Sequence, residues 1–141
     1  MTGSIDELIV RFYDAFSNKP ELLDDIITED WEDIPLSPGQ QPGRAGAGWL
    51  IQGINMVFTG LQITVEEIAD ARGADGNGTV AVRAMMRGVH TGEFLGVAPT
   101  GEPIEIRMHD FHHFTDGWIT RSHHLEDWLG LFMKAGSQPS D

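Results

Sequence analysis

Cysteine is absent from this 141-residue chain, and lysine nearly so. Without cysteine there are no disulfides, no thiolate metal sites and no cysteine nucleophile. The two lysines, Lys19 and Lys134, fall at an expected turn and near the C-terminus. A Schiff-base mechanism needs a desolvated lysine, so lysine-dependent carbon–carbon chemistry is not expected. Basic residues of either kind are scarce, with nine Lys and Arg against 22 Asp and Glu and a formal net charge of −13. Nucleic acid and anionic membranes both call for a basic surface, so neither is an expected partner. No apolar run approaches the roughly 18 residues of a membrane-spanning helix. The first seven residues, Met-Thr-Gly-Ser-Ile-Asp-Glu, lack the basic and apolar regions of a signal peptide, which makes the cytoplasm the expected location.

What remains has the ordinary apolar content of a globular chain, 40%, and a length that suits one core. The expected organisation is one domain over residues 1–135 and a tail over 136–141. Ser4 and Glu7 form a capping box, and Ile5, Leu8, Ile9, Phe12 and Phe16 follow at helical spacing, which predicts a first helix ending near Asn18. Pro20 opens a short second helix with Leu22, Leu23, Ile26 and Ile27 inward. Trp31 to Ile34 reads as a short strand with Trp31 and Asp33 on one face. Residues 35–48, rich in proline and glycine, read as a loop and a candidate flap over a pocket. A third helix is expected from about Ala45 to Phe58.

Beyond Gly60 the pattern turns strand-like. Strands are expected over Leu61–Arg72, Thr79–Thr91, Ile104–Phe114 and Trp118–Asp127, with hairpin turns at Asp75-Gly76-Asn77-Gly78 and Thr115-Asp116-Gly117. A short helix follows through Leu129–Met133. Helices followed by antiparallel strands give an α+β fold, helices on one face of a sheet; strongly curved, that sheet is a cone whose mouth can hold a small ligand.

Five of the six histidines lie between His109 and His124. In the third expected strand, alternation places Ile104, Ile106, Met108, Asp110, His112 and Phe114 on one face, and Glu105, Arg107, His109, Phe111 and His113 on the other. Two ionisable groups thus interrupt an apolar face. A buried carboxylate must find a partner or take up a proton. Alternation in the last strand places Thr120, Ser122 and His124 together, opposite Ile119, Arg121, His123 and Leu125, so His124 can be within reach of Asp110. The group Asp110, His112 and His124 reads either as a proton-transfer site or as a structural His/Asp pair. Two histidines and a carboxylate also match a non-haem iron ligand set, but the spacing fits no metal motif, and neither a metal nor another cofactor is expected. Phe12, Phe16, Trp31 and Trp49 are candidate walls of a cavity for a flat aromatic ligand.

The stretch Gly88-Val-His-Thr-Gly-Glu-Phe-Leu-Gly-Val-Ala-Pro-Thr-Gly101 resembles the central signature of SnoaL-like polyketide cyclases, or ester cyclases. So do Arg107-Met-His-Asp-Phe111, Phe114-Thr-Asp-Gly-Trp-Ile119, Trp128-Leu-Gly-Leu131 and, in the front half, Phe12-Tyr-Asp-Ala-Phe16 and Pro42-Gly-Arg44. The resemblance implies the nuclear-transport-factor-2-like (cystatin-like) fold, a cone-shaped antiparallel sheet with three helices, usually paired as a homodimer. It implies intramolecular aldol cyclisation of a small hydrophobic or aromatic carbonyl compound by acid/base catalysis without metal or Schiff base. The family's strand Asp matches Asp110. Its favoured acid/base, an Asp fourteen residues later, falls on His124. Ketosteroid isomerase shares the fold; Asp110 resembles its protonated Asp and Asp33 its general base, while its first-helix Tyr falls on Phe12, beside Tyr13. The expected catalytic residues are therefore His124, Asp110, Asp33 and His112, with Phe12, Tyr13, Phe16, Trp31, Trp49, Met108 and Ser122 at the ligand. A non-catalytic small-molecule-binding protein, and an isomerase or hydrolase using Asp33 and Asp110, are the alternatives.

Overall fold

The computed structural model describes residues 4–136; the expected tail lies almost wholly outside them. Helix α1 spans Ile5–Asp14, with Ser4 capping it by accepting the Glu7 N–H at 3.1 Å. Tighter turns carry the chain on to Asn18, which takes a left-handed φ of 62° and ends the helical path. Leu8, Ile9, Phe12 and Tyr13 form its buried stripe. The second helix is shorter than expected: a 3-10 turn covers only Pro20–Leu23. Ile27 instead opens strand β1, Ile27–Ile34, twice the expected length. The strong β-propensity of Ile26, Ile27 and Trp31 and pairing to the sheet override the helical spacing there.

Helix α2 covers Gly43–Val57, two residues ahead of its expected start. Four strands follow: β2 Phe58–Arg72, β3 Gly78–His90, β4 Pro103–Thr115 and β5 Trp118–Glu126. Helix α3, Trp128–Gly136, is longer than the Leu129–Met133 expected. The strands form one curved sheet in the order β1-β5-β4-β3-β2. Hairpins make β2 through β5 antiparallel, but β1 pairs with β5 in parallel, so the sheet is mixed. That pairing joins segments about 90 residues apart, and no local pattern announces it. The turn between β4 and β5 follows the expected chemistry, with positive φ at both Asp116 and Gly117.

Burial alternates without a break along β4: Ile104, Ile106, Met108, Asp110, His112 and Phe114 face the interior. The last strand departs from strict alternation. Phe114 opposes Ile119 and His113 opposes Arg121, which leaves Thr120 as the extra residue of a bulge. Ile119 is therefore fully buried on the same face as Ser122 and His124. Thr120, expected on that face, turns its hydroxyl to the His113 carbonyl at 3.3 Å. Helix α1 packs on β2, and α2 on β1 and β2, so the core lies between the helices and the concave face of the sheet.

Within α2, a Cβ at Gly46 would overlap the Gln41 carbonyl oxygen, while one at Gly48 would meet nothing within 4 Å. Urea unfolding is expected to show Gly46→Ala less stable by about 1–3 kcal/mol, and Gly48→Ala more stable by about 0.5–1 kcal/mol. Equal effects at the two positions would contradict this packing of the helix start.

Candidate functional site

The sheet's curvature and the helices enclose a cavity of about 480 Å³. Phe12, Tyr13 and Phe16 reach it from α1, Trp31 and Asp33 from β1, and Trp49 from α2. Met108, Asp110 and His112 come from β4, and Ser122 and His124 from β5. All eleven positions singled out in the sequence thus border one space, with Trp49 half-exposed at its mouth. A second, more open depression of about 780 Å³ lies outside, between the 3-10 turn, β1 and the start of α2. Its lining holds Glu21, Asp24, Glu29 and Asp30 and none of these eleven.

Register fixes how the polar groups sit. Asp110 and His124 are directly opposed across β4 and β5, His112 opposes Ser122, and Ser122 lies beside Asp33 across β5 and β1. A hydrogen-bonded chain runs through the buried row. Tyr13 Oη lies 2.6 Å from Asp110 Oδ2 and 2.8 Å from His112 Nε2. His112 Nδ1 is 2.7 Å from Ser122 Oγ, which accepts the Trp31 indole N–H at 3.1 Å. The protons can be assigned by elimination. Tyr13 has one, and an ionised Asp110 takes it. His112 Nε2 must then donate to the phenol oxygen, and its Nδ1 accepts from Ser122. Every group in the row is satisfied by a neutral His112. Burial, then the nearby charge of His124, hold that imidazole down at about 3.

Asp110, 3% exposed, is an acid tuned toward neutrality. Burial raises its carboxyl to about 6, aided by the charge of Glu126 and opposed by Tyr13, the Leu125 N–H at 3.3 Å and His124. Burial, then Asp110, push the Tyr13 phenol well above its ordinary value, so Tyr13 remains a donor.

His124 has different surroundings. Its Nδ1 lies 2.8 Å from Glu126 Oε1, and its Nε2 lies 2.6 Å from the Pro35 carbonyl and 3.2 Å from Asp33 Oδ1. These are all acceptors, so both ring nitrogens carry protons and the ring is an imidazolium. Burial works against that charge, but the Glu126 hydrogen bond and charge, with Asp33 and Pro35, outweigh it and lift His124 to about 9. His124 lies opposite Asp110, within the reach expected, but Glu126 is the group that orients it, because the Asp110 oxygens are turned to Tyr13 and Leu125. Burial likewise raises Asp33, against the Gln40 hydrogen bond at 2.8 Å and the charge of His124, and with that of Glu126.

Both first-helix residues compared with the isomerase tyrosine line the cavity: Tyr13 carries its hydroxyl onto Asp110, and Phe12 packs edge-on against the His112 ring with centroids 4.6 Å apart. Gln40 and Glu126 were missed. Glu126 is two residues from His124 on the same strand face, a spacing that alternation alone provides; Gln40 lies in a loop without periodicity. His112 and His124 each commit both ring nitrogens to protein oxygens. Among the described residues no His, Asp and Glu group could hold a metal ion, and no helix is long and apolar enough to cross a membrane.

A model of the SnoaL-like polyketide cyclase family matches residues 7–134. Among solved structures, TsrD from Streptomyces laurentii is similar at 20% identity and a TM-score of 0.81, covering 95% of this chain and 96% of its own. IdmH from Streptomyces antibioticus, provisionally assigned as a polyketide cyclase, is 28% identical with a TM-score of 0.76, covering 93% and 97%. A SnoaL-like polyketide cyclase of Agrobacterium tumefaciens is 14% identical with a TM-score of 0.74, covering 94% and 98%. No curated protein matches the sequence significantly.

The charge on His124 sets a pH dependence of stability. Its folded value of about 9 exceeds the 6.5 of the free side chain, so its stabilising share is complete below pH 6.5 and is lost as pH rises through 9. The loss amounts to roughly 3 kcal/mol. Thermal unfolding from pH 6 to 10 is expected to show that decline in the native chain and a much flatter profile in His124→Gln. Parallel profiles would contradict the assignment.

Proposed function

Because the chain belongs to the SnoaL-like polyketide cyclase family, we propose that it closes a ring in a small hydrophobic carbonyl compound by acid/base catalysis of an intramolecular aldol step, with no cofactor taking part. The observation that carries this reading is one cavity with a carboxylate on one flank and a phenol–carboxyl pair on the other: Asp33 beside the His124 imidazolium, and Tyr13 bonded to Asp110 at 2.6 Å.

In this mechanism Asp33 takes the proton from a carbon flanked by two carbonyls, whose acidity such flanking groups provide. The carbanion attacks a second carbonyl held against the aromatic wall, and one carbon–carbon bond forms. Tyr13 donates to the oxygen that becomes the alkoxide, while protonated Asp110 and the His112 Nε2–H donate to the phenol oxygen, so that the proton Tyr13 gives up is replaced from Asp110. Asp33 ends protonated and Asp110 ionised, and proton exchange through solvent restores both. The product is an isomer of the substrate until water is lost. His124, with both nitrogens already on acceptors, serves as the fixed cation that keeps Asp33 ionised despite its burial. The walls formed by Phe12, Phe16, Trp31 and Trp49 hold the reacting carbons together, which supplies the orientation term.

A second reading gains from the Tyr13–Asp110 bond. A base plus a tyrosine and a protonated aspartate directed at one oxygen are also the parts of enone isomerisation by allylic proton transfer. A binding protein without chemistry is the third.

Steady-state assays with an aromatic β-dicarbonyl that can cyclise and with a β,γ-unsaturated ketone separate the three. Turnover of the first, with kcat falling about 10²–10⁴-fold in Asp33→Asn and by a similar order in the double variant Tyr13→Phe/Asp110→Asn, is the expected result. Turnover of the ketone alone favours the isomerase. Tight binding of both with turnover of neither contradicts catalysis.

A further inference from the structure

We infer that Gln40 is a positioning residue for Asp33: its side-chain amide ties the loop that follows β1 to the carboxylate and sets that carboxylate's orientation and basicity for proton abstraction. The inference rests on the reading of Asp33 as the base.

Gln40 is 6% exposed, a rare state for glutamine, and it lies in a loop where no packing pattern demands it. Its amide is used at both ends. The Ser37 N–H donates to Gln40 Oε1 at 2.9 Å, and Gln40 Nε2 donates to Asp33 Oδ2 at 2.8 Å. These partners leave one orientation of the amide, because a backbone N–H needs the oxygen and a carboxylate needs the NH₂. The Gln40 N–H closes the loop on the Ser37 carbonyl at 3.0 Å. The same loop is pinned a second time where the Pro35 carbonyl accepts from His124 Nε2. Pro35, Leu36, Ser37 and Pro38 of this loop border the cavity, so the segment that shapes the mouth is fastened to both Asp33 and His124.

The chemistry of the clamp is specific. Asp33 Oδ1 faces the His124 cation and Oδ2 faces the neutral amide, so the carboxylate cannot rotate without breaking one of the two. The charged groups facing Asp33 are His124 and Glu126 from β5, with Asp110 across the cavity on β4; the cavity-lining residues of α2 and of the loop are uncharged. A hydrogen bond to the ionised form favours it. Gln40 therefore offsets part of the burial penalty on Asp33 without adding a charge that would compete with His124.

The test follows the Asp33 carboxyl by ¹³C NMR titration in the native chain, in Gln40→Met, which keeps the length and loses the donor, and in Gln40→Glu, which places a second carboxyl at the same point. Circular dichroism and the melting temperature report folding. The expected result is an Asp33 midpoint about one pH unit higher in Gln40→Met and higher still in Gln40→Glu, with the acid limb of kcat/KM moving by the same amount and KM nearly unchanged. A lower melting temperature with an unmoved Asp33 midpoint would overturn the inference and leave Gln40 a structural loop clamp. Loss of the base assignment is a separate outcome: Asp33→Asn would keep full activity while the midpoint shift in Gln40→Met still appeared.

Discussion

The hydrogen bond between Tyr13 and Asp110 is the interaction on which the interior of this protein depends. A carboxyl placed midway along an apolar strand face is costly to bury, and the sheet offers it only the Leu125 amide. The phenol at 2.6 Å supplies the second partner, and supplying it fixes much else. Helix α1 must turn Tyr13 toward β4 so that its hydroxyl reaches Asp110. His112 must be neutral and must donate. Ser122 and Trp31 must face the same row. An apolar replacement of any one member would leave a neighbour buried and unpaired, at a cost of about 1–3 kcal/mol.

The second constraint is charge separation. Among the described residues, the cavity wall holds three carboxylic groups, Asp33, Asp110 and Glu126, and one cationic one, His124, with no lysine or arginine. His124 makes its contacts with Glu126 and Asp33, so Asp110 takes its hydrogen bonds from Tyr13 and Leu125 and feels the His124 charge only at a distance. Burial holds His112 down at about 3 and raises Asp110 to about 6, while Glu126 and Asp33 outweigh burial at His124 and lift it to about 9. Two imidazoles two residues apart along neighbouring strands thus become a neutral relay and a fixed cation. Pairs of titratable groups driven apart by environment mark acid/base assignments.

Much of this was legible in the sequence, for definite reasons. Alternation along β4 identified Asp110 and His112 as interior groups because nothing interrupts that strand. The same argument failed one strand later, at Ile119 and Thr120, because a bulge shifts the period and a bulge has no signature here beyond an ordinary threonine. The parallel pairing of β1 to β5 was invisible for a related reason: it joins residues far apart in the chain, and no short-range pattern records it. That Phe12 and Tyr13 both face the cavity, with Tyr13 carrying a hydroxyl to Asp110, depends on how α1 is rotated on the sheet, which no local pattern decides. Residues were easier to place than roles. His124 was located correctly at the cavity, but its partners Glu126 and the Pro35 carbonyl decide its charge, and one of those is a backbone group that carries no sequence signal.

The central claim is that the cavity holds one neutral and one cationic histidine with fixed proton positions. Nitrogen-15 NMR of the imidazole rings at neutral pH reads this directly. The account predicts His124 protonated at both nitrogens until pH approaches 9, and His112 neutral with its proton on Nε2 above about pH 6, where Asp110 is ionised. A neutral His124 at pH 7, or a His112 carrying its proton on Nδ1, would contradict it.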